Sequence, residues 1–333
     1  MTQANVLAQL GAQSGPTFRN RIINGAMVID QRNNGASVTP SNGQYTLDRW
    51  NANLSQTSKY TVQQNAGSLT PVATTGFVNY LGVTSSSAYS VTSTDYFFLE
   101  QVVEGYNIAD LGWGTASAKT VTLSFWVYSS LTGTFGGVLA NSAQNRNYPY
   151  SYTISSANTW TQISVTIAGD TSGTWLTTNG EGIRLRFGLG VGSTKSGTAG
   201  SWSATQYFSC TGATSVVGTS GATFYITGVQ LEVGSSATGF EYRQYQQELA
   251  LCQRYYQFST YGTTSYPSSN GYARAYASFP VIMRTAPTMT FTDLGSGGSS
   301  LGTGSYTNGY YNTYQSLSAS AAGTFSWTAT SEL

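Results

Sequence analysis

Along much of the chain apolar and polar residues alternate with a period of two, the pattern of strands that keep one face on a core. In KTVTLSFWVYSS, Val121, Leu123, Phe125 and Val127 share one parity and Thr122, Ser124, Trp126 and Tyr128 the other. The same alternation turns Phe97, Leu99 and Val103 inward, with Glu100 and Glu104 outward. It also turns inward Ile163, Val165 and Ile167, and then Ile183, Leu185, Phe187 and Leu189. In FYITGVQLEVG, Tyr225, Val229, Leu231 and Val233 share a parity, and Gly228 predicts a bulge. In RIINGAMVID neither parity is polar throughout, which predicts a first strand enclosed on both faces. Many short strands separated by Gly, Ser and Asn turns predict an all-β sandwich.

One segment departs from this period. In FEYRQYQQELALCQRYYQF, Tyr242, Tyr245, Leu249, Cys252 and Tyr256 recur at spacings of three and four, which predicts a helix over 242–256. Its stripe spans about two heptads, short of the three to four that define a coiled coil. The helix therefore packs on its own sandwich or contacts a second subunit. Beyond it, strands in GYARAYASFPVIM, TMTFTDL, YTNGYYNTYQSLSAS and GTFSWTATSEL predict a smaller β domain over 257–333. The expected organisation is a peptide over 1–18, a sandwich over 19–241, the connecting helix, and this C-terminal β tip.

Composition sharpens the fold and narrows the function. Among 333 residues there are 38 Gly, 24 Tyr and 14 Phe, a mixture that suits pleated surfaces and tight turns. The net charge of +1 and the lack of a basic stripe argue against nucleic acid as a partner. No apolar run approaches the roughly 18 residues that mark a membrane span, so no membrane insertion is expected. The opening MTQANVLAQLGAQSG lacks the basic and apolar regions of a signal peptide, so export by a standard signal is not expected. Cys210 and Cys252 read as two free thiols, Cys252 lying in the apolar helical stripe.

The sequence holds no histidine, which excludes Ser-His-Asp, Cys-His and His-ligated metal chemistry. Glycan cleavage by two carboxylates stays open as an alternative. The one local acidic pair, Glu100 and Glu104, sits about 13 Å apart on a strand, beyond the roughly 5–9.5 Å that glycosidases use. It reads as solvated or salt-bridged groups, and no catalytic residue is assigned.

Two segments carry a resemblance. NRIINGAMVIDQRNNGASVTPSNGQYTLDRW and FYITGVQLEVGSSATGFEYRQYQQELALCQRYY resemble recurring opening and closing segments of tailed-bacteriophage fibre and appendage proteins. LSFWVYSS and FYITGVQLEVG also resemble strands of jelly-roll carbohydrate-binding modules. Together these likenesses cover about residues 19–256. They imply a virion structural protein, a homotrimeric tail fibre or appendage with a jelly-roll sandwich, assembled in the host cytoplasm and adhering to a host-surface glycan. TQANVLAQLGAQSGPTF then reads as a peptide that docks other virion proteins, or as a disordered tail. A capsid or tail decoration component without glycan binding, and a secreted carbohydrate-binding module or hydrolase, are the alternatives. Such jelly rolls often hold structural calcium, but no acidic loop here has convincing spacing and no metal ligand is assigned.

Binding is expected where aromatic rings occupy outward faces, because sugars present apolar C–H faces and hydroxyls. Arg146, Tyr148, Tyr150 and Tyr152 share a parity in NRNYPYSYT, on a strand that Pro149 pushes toward a sheet edge. Trp126 and Tyr128 lie opposite the Val121–Val127 stripe, and Arg184 and Arg186 opposite the Ile183–Leu189 stripe; on a shared sheet these would form an aromatic and basic platform. Tyr306, Tyr310, Tyr311 and Tyr314 make a second candidate cluster among Asn, Gly and Thr. Outward tyrosines equally suit burial against a neighbouring subunit. Arg19, Arg21, Arg32, Tyr242, Tyr245 and Leu249 are the subunit-contact candidates. The arginines of this group are expected to pair with Asp30, Asp48, Glu232 or Glu241.

Overall fold

The alternating segments fold into two antiparallel sheets whose apolar parities face each other. A computed structural model describes residues 18–72, 75–264, 272–294, 298–317 and 323–333; the side chains at 264, 272–277, 298–305, 313–317 and 323 are outside that description. Apart from Phe18, the expected docking peptide lies outside the described residues. The first strands are β1 (Gln44–Leu47), β2 (Trp50–Leu54), β3 (Tyr60–Gln64), β4 (Leu81–Ser85), β5 (Tyr96–Glu104) and β6 (Val121–Ser129). They are followed by β7 (Gly133–Ala140), β8 (Asn147–Ile154), β9 (Thr161–Ile167) and β10 (Glu181–Val191). A two-residue parallel ladder of β11 (Ser196–Gly197) and β12 (Ser209–Cys210) precedes β13 (Thr223–Val233). One sheet has the order β1-β2-β5-β10-β7-β8 and the other β3-β4-β13-β6-β9. The result is the expected jelly-roll β-sandwich.

The core lies where the two inner faces meet. Val121, Leu123, Phe125 and Val127 of β6 pack with Phe97 and Leu99 of β5 and with Ile183, Leu185, Phe187 and Leu189 of β10, all of them buried. The predicted bulge in β13 is present: register with β6 shifts between Thr227 and Gln230, and Gly228 has φ +61°. The bulge reverses parity along the strand. Phe224 and Ile226 before it and Val229 and Leu231 after it enter the core, whereas Tyr225 packs outside with Tyr80. Tyr225 therefore does not share a face with Val229.

The segment 21–30 is enclosed as expected but forms no strand, and the first sandwich strand is β1. Asn24 and Met27 both have positive φ and break the extended path into turns. The segment instead fills the space beside β13: Arg21 N donates to the Leu231 carbonyl and Val229 N to the Gly25 carbonyl, both at 2.9 Å. Gln101 clamps it from within, giving its amide to the Ile23 carbonyl and accepting from the Ile23 N–H.

Glu100 and Glu104 stand on the outer parity of β5, yet both are buried, because charged side chains cover them. Arg184 and Arg186 close on Glu100, while Arg254 grips Glu104 with two hydrogen bonds of 2.9 and 2.6 Å. Tyr255 OH adds a third bond to Glu104, and burial, which alone raises a carboxyl pKa, is outweighed so that Glu104 is held below its usual range. Neither carboxylate is a solvated surface group.

The helix, α1 (Tyr245–Gln253), is shorter than the predicted stripe. Cys252 and Leu249 pack with Ile23, Ile29 and Tyr255, so this part of the helix covers its own chain. Tyr245 and Tyr242 are exposed. After α1 come β14 (Tyr256–Thr264), β15 (Tyr272–Ser278), β16 (Thr288–Asp293), β17 (Gly298–Tyr306), β18 (Tyr310–Leu317) and β19 (Gly323–Thr330). These form two three-stranded sheets, β14-β19-β16 and β15-β18-β17, around a second core of Phe279, Met283, Met289, Tyr311, Phe325 and Trp327. Cys210 and Cys252 are both buried and free.

A seam of arginines joins this C-terminal unit to the sandwich. Arg49 ion-pairs with Glu332 and lies over the Tyr255 ring at 3.6 Å. Arg32 reaches the same carboxylate at 2.6 Å, with its guanidinium over the rings of Tyr45 and Tyr256. Arg284 donates to the Ser331 and Glu332 carbonyls and to the Asn179 carbonyl of the sandwich. The expected partners are thus corrected: Arg32 pairs with Glu332, Arg21 with Asp110 at 2.7 Å, and only the Arg19 backbone N–H meets Glu241. The side chains of Arg21 and Arg32 are held within their own chain.

Asp48 lies buried under this seam and accepts hydrogen bonds from the Gln31 backbone and side chain at 2.7 and 2.6 Å. Burial pushes its carboxyl up to about 6, against the pull of Arg32 and the two bonds from Gln31. The folded state therefore binds this proton more tightly than the unfolded chain does. The associated stability is fully present below pH about 4 and is lost as pH rises through about 6, a change on the order of 3 kcal/mol. Urea midpoints are expected to rise between pH 7 and pH 5, and Asp48→Asn to flatten that rise; a variant profile parallel to the wild type would refute the assignment.

Candidate functional site

The outer face of the five-stranded sheet is where outward rings and an open groove coincide. On β6, Trp126 stands between Thr227 of β13 and Gln162 of β9 in register, with Tyr128 two residues further along the same face. Both are partly exposed, as their parity predicts. Tyr128 stacks on Tyr225, with centroids 5.4 Å apart and planes 7° apart, and Trp160 leans on Tyr128 and Tyr80 at 5.6 Å. The sheet thus carries a strip of rings running from Trp126 toward Trp160.

Beside Trp126 opens a groove of about 260 Å³. One wall is Trp126 with Gln162 and Ser124; the other is built by Phe77, Phe240 and Tyr242, brought in from two separate loops. These three rings pack edge to face or tilted, with centroids 4.9–5.4 Å apart. The wall rests on the β13 bulge. A Cβ at Gly228 would lie 2.4 Å from Phe77 Cζ, and the positive φ there is one that L side chains rarely adopt. The bulge thus lets a ring sit directly on the strand. Tyr242 OH donates to the Thr75 carbonyl, which ties the two loops together.

No charged side chain lines this groove among the described residues; Gln162, Ser124, Thr75 and Thr238 supply the polar groups. Glu241 and Glu248 border a neighbouring apolar hollow, but Glu241 accepts from the Arg19 and Asn20 backbones and Glu248 from the Asn24 backbone. Among the described residues no group of three or more His, Cys, Asp or Glu gathers to hold a metal ion.

The other sequence candidates lie elsewhere. Tyr148, Tyr150 and Tyr152 point into the sandwich, not outward, and Tyr150 is only 1% exposed. Burial raises the Tyr150 and Tyr152 hydroxyl pKa values well above the usual range. Tyr150 OH donates to the Arg186 carbonyl at 2.7 Å, which lets the ring be buried. Proline's edge preference does hold, since β8 is the outer strand of its sheet. Arg146 precedes that strand and is locked onto Asp170 by two bonds of 2.7 Å.

Arg184 and Arg186 do not join Trp126 in one platform. They stand on β10, which pairs with β5 and β7, whereas β6 pairs with β13 and β9 in the opposite sheet. In the C-terminal unit Tyr311 is buried in the second core, Tyr306 is half-buried against it and Tyr310 is exposed, so these three do not form one surface patch. The Tyr314 side chain lies outside the described residues. Of the subunit-contact candidates, Tyr245 and Arg19 are exposed, Tyr242 belongs to the groove wall, and Leu249 packs under α1.

No protein-family model matches the chain, and no curated protein sequence matches it. Solved structures with similar architecture include the enzymatically active domain of tailspike protein 4 from bacteriophage CBA120, at 13% identity and a TM-score of 0.37 over 66% of this chain. The chain spans 22% of that tailspike chain. A CBM4 carbohydrate-binding module aligns at 14% identity and TM-score 0.33, over 63% of this chain and 98% of the module. The family 11 carbohydrate-binding module of a Clostridium thermocellum cellulosomal cellulase aligns at 11% identity and TM-score 0.28, over 61% and 98% of the two chains.

Proposed function

We propose that this is a virion structural protein, a homotrimeric tail fibre or appendage, and that the Trp126 groove holds a neutral host-surface glycan without cleaving it. The observation that carries the binding assignment is the groove itself: rings of Trp126, Phe77, Phe240 and Tyr242 beside amide and hydroxyl groups, with no charged lining among the described residues. Rings take the apolar face of a sugar and the polar groups its hydroxyls. A shallow groove of this kind binds weakly, and repetition across subunits and fibres would convert weak contacts into firm adhesion. The virion assignment draws on the segment resemblances at 20–50 and 224–256.

Trp126→Ala is expected to weaken binding of the best neutral ligand on a glycan array by about tenfold, roughly 1.4 kcal/mol. Arg146→Ala, which alters a residue locked to Asp170, should leave binding unchanged. Native mass measurement on the same sample reads the oligomer, and a search for the chain in purified virions reads its location. A second reading, a decoration component without glycan binding, is favoured by the exposed Val78, Tyr242 and Tyr245, which suit a protein contact. A trimer that binds no glycan would select it.

A further inference from the structure

A second cleft, unrelated to the sandwich groove, opens in the C-terminal unit. It encloses about 470 Å³, within the roughly 300–1,000 Å³ of small-molecule sites. Its geometry follows from an imbalance of side-chain size across the β14–β19 ladder. Large rings, Phe325 and Trp327, stand on β19, and opposite them in register β14 places only Gly262 and Ser259. Tyr311 packs against Trp327 at 5.1 Å and lines the same space. Small residues facing large ones leave a gap over a floor of rings.

Two features fix the gap open. Between Ser259 and Gly262 the register shifts, so Thr260 and Tyr261 oppose a single residue of β19. Such a bulge re-aims side chains beside binding sites. Here Tyr261 lies in the cleft lining and is 63% exposed, with its backbone braced by the Ser259 hydroxyl. Gly262 cannot gain a side chain, because a Cβ there would lie 2.7 Å from the Phe325 ring.

The cleft also borders a polar group with unmet need. Gln257 lines it and is buried, with its amide hydrogens given to the Gln253 and Val281 carbonyls, while its Oε1 has no hydrogen-bond partner. A buried unpaired acceptor carries a desolvation cost, and this one belongs to a residue of the cleft wall. Among the described residues no charged side chain lines the cleft, so these residues offer an anionic ligand no counter-ion.

From these features we infer that the C-terminal cleft is a second carbohydrate site, selective for neutral saccharides, so that each chain carries two separate sugar contacts. The site requires that the chain bind sugars at this cleft, and does not require the sandwich groove to do so. The test uses the full chain and a panel of neutral glucose-, galactose-, mannose- and rhamnose-based oligosaccharides beside sialylated and uronic acid-containing ones, with saturation-transfer NMR and calorimetry. The Trp126→Ala chain is expected to retain neutral-sugar binding, and adding Tyr261→Ala to weaken it about tenfold. Ser259→Phe, which fills the gap, should abolish it, with circular dichroism checking the fold. Tyr261 is exposed, so its substitution keeps the assay informative if Ser259→Phe does not fold. Loss of all binding in Trp126→Ala alone would overturn this site while leaving the sandwich groove standing. Retention of binding in both cleft variants, preference for acidic sugars, or no binding by the wild-type chain would also overturn it.

Discussion

Glu332→Gln is expected to lower the stability of the chain by about 3–5 kcal/mol, the loss typical of breaking a buried ion pair from one side. The substitution keeps the side-chain shape and removes only the charge. What it leaves behind decides the size of the effect. Arg49 is 1% exposed, and among the described residues Glu332 is its only carboxylate partner. Its other contacts, the Val102 carbonyl and the Tyr255 ring, are neutral and do not replace a counter-ion. Arg32 loses the same partner, but its side chain retains 14% exposure and can draw on water, so it adds less. Because the network ties β1 and β2 to the end of β19, the loss should fall first on the C-terminal unit. Hydrogen exchange across 256–333 is expected to accelerate more than exchange across β5, β6 and β10. A stability loss below about 1 kcal/mol would show that the seam is hydrated and behaves as surface pairs do.

How far the sequence discloses such features depends on whether they are local. The inner parity of β6 and β10 is legible because Val121, Leu123, Phe125 and Val127, like Ile183 to Leu189, are strongly apolar at every second position. The same rule misplaces β8, because tyrosine suits either face. The residues that alternate with Tyr148, Tyr150 and Tyr152 are Pro149, Ser151 and Thr153, and two of these are the more polar set. Weighing that contrast would turn the tyrosines inward. Gly228 announces its bulge, but not the rings that rest on it: Phe77 and Phe240 come from loops about 150 residues or more from one another in sequence, and nothing in either loop marks the groove. Half of the groove, Trp126, was therefore legible from alternation, and its opposite wall was not. The arginines near the start read as subunit contacts paired with Asp30, Asp48, Glu232 or Glu241, whereas Arg21 pairs with Asp110 and the partner of Arg32 lies 300 residues away. Pairing between strands is equally non-local, which is why Arg184 and Arg186 could be placed on an outer face without being placed on the right sheet.

Those two arginines set up the second large effect. Glu100→Gln is expected to cost about 3–5 kcal/mol, since it strands Arg186, 1% exposed, with neutral acceptors only. In the folded chain Arg186 Nε meets Glu100 Oε2 at 2.6 Å, and its remaining bonds go to Gln144 Oε1 and the Tyr207 carbonyl. Burial pulls the guanidinium pKa down and Glu100 opposes that pull, so removing the carboxylate leaves burial unopposed. The rings of Phe98 and Phe208 beside the guanidinium stabilise a cation but do not neutralise it. The reverse substitution, Arg186→Met, should cost less, because Glu100 keeps Arg184 at 2.9 Å. In the double variant Glu100→Met/Arg186→Met, Arg184 still holds Glu181 at 2.6 Å and has water on one side, while two methionines fill the buried space. Apolar replacement of a complete buried pair is often neutral or stabilising. The ranking expected in denaturant unfolding is therefore Glu100→Gln least stable, Arg186→Met intermediate, and the double variant nearest the wild type. A double variant as destabilised as Glu100→Gln would show that the pair contributes net stability over an apolar replacement; recovery in the double variant would mean that it chiefly prevents Arg186 and Glu100 from being buried alone.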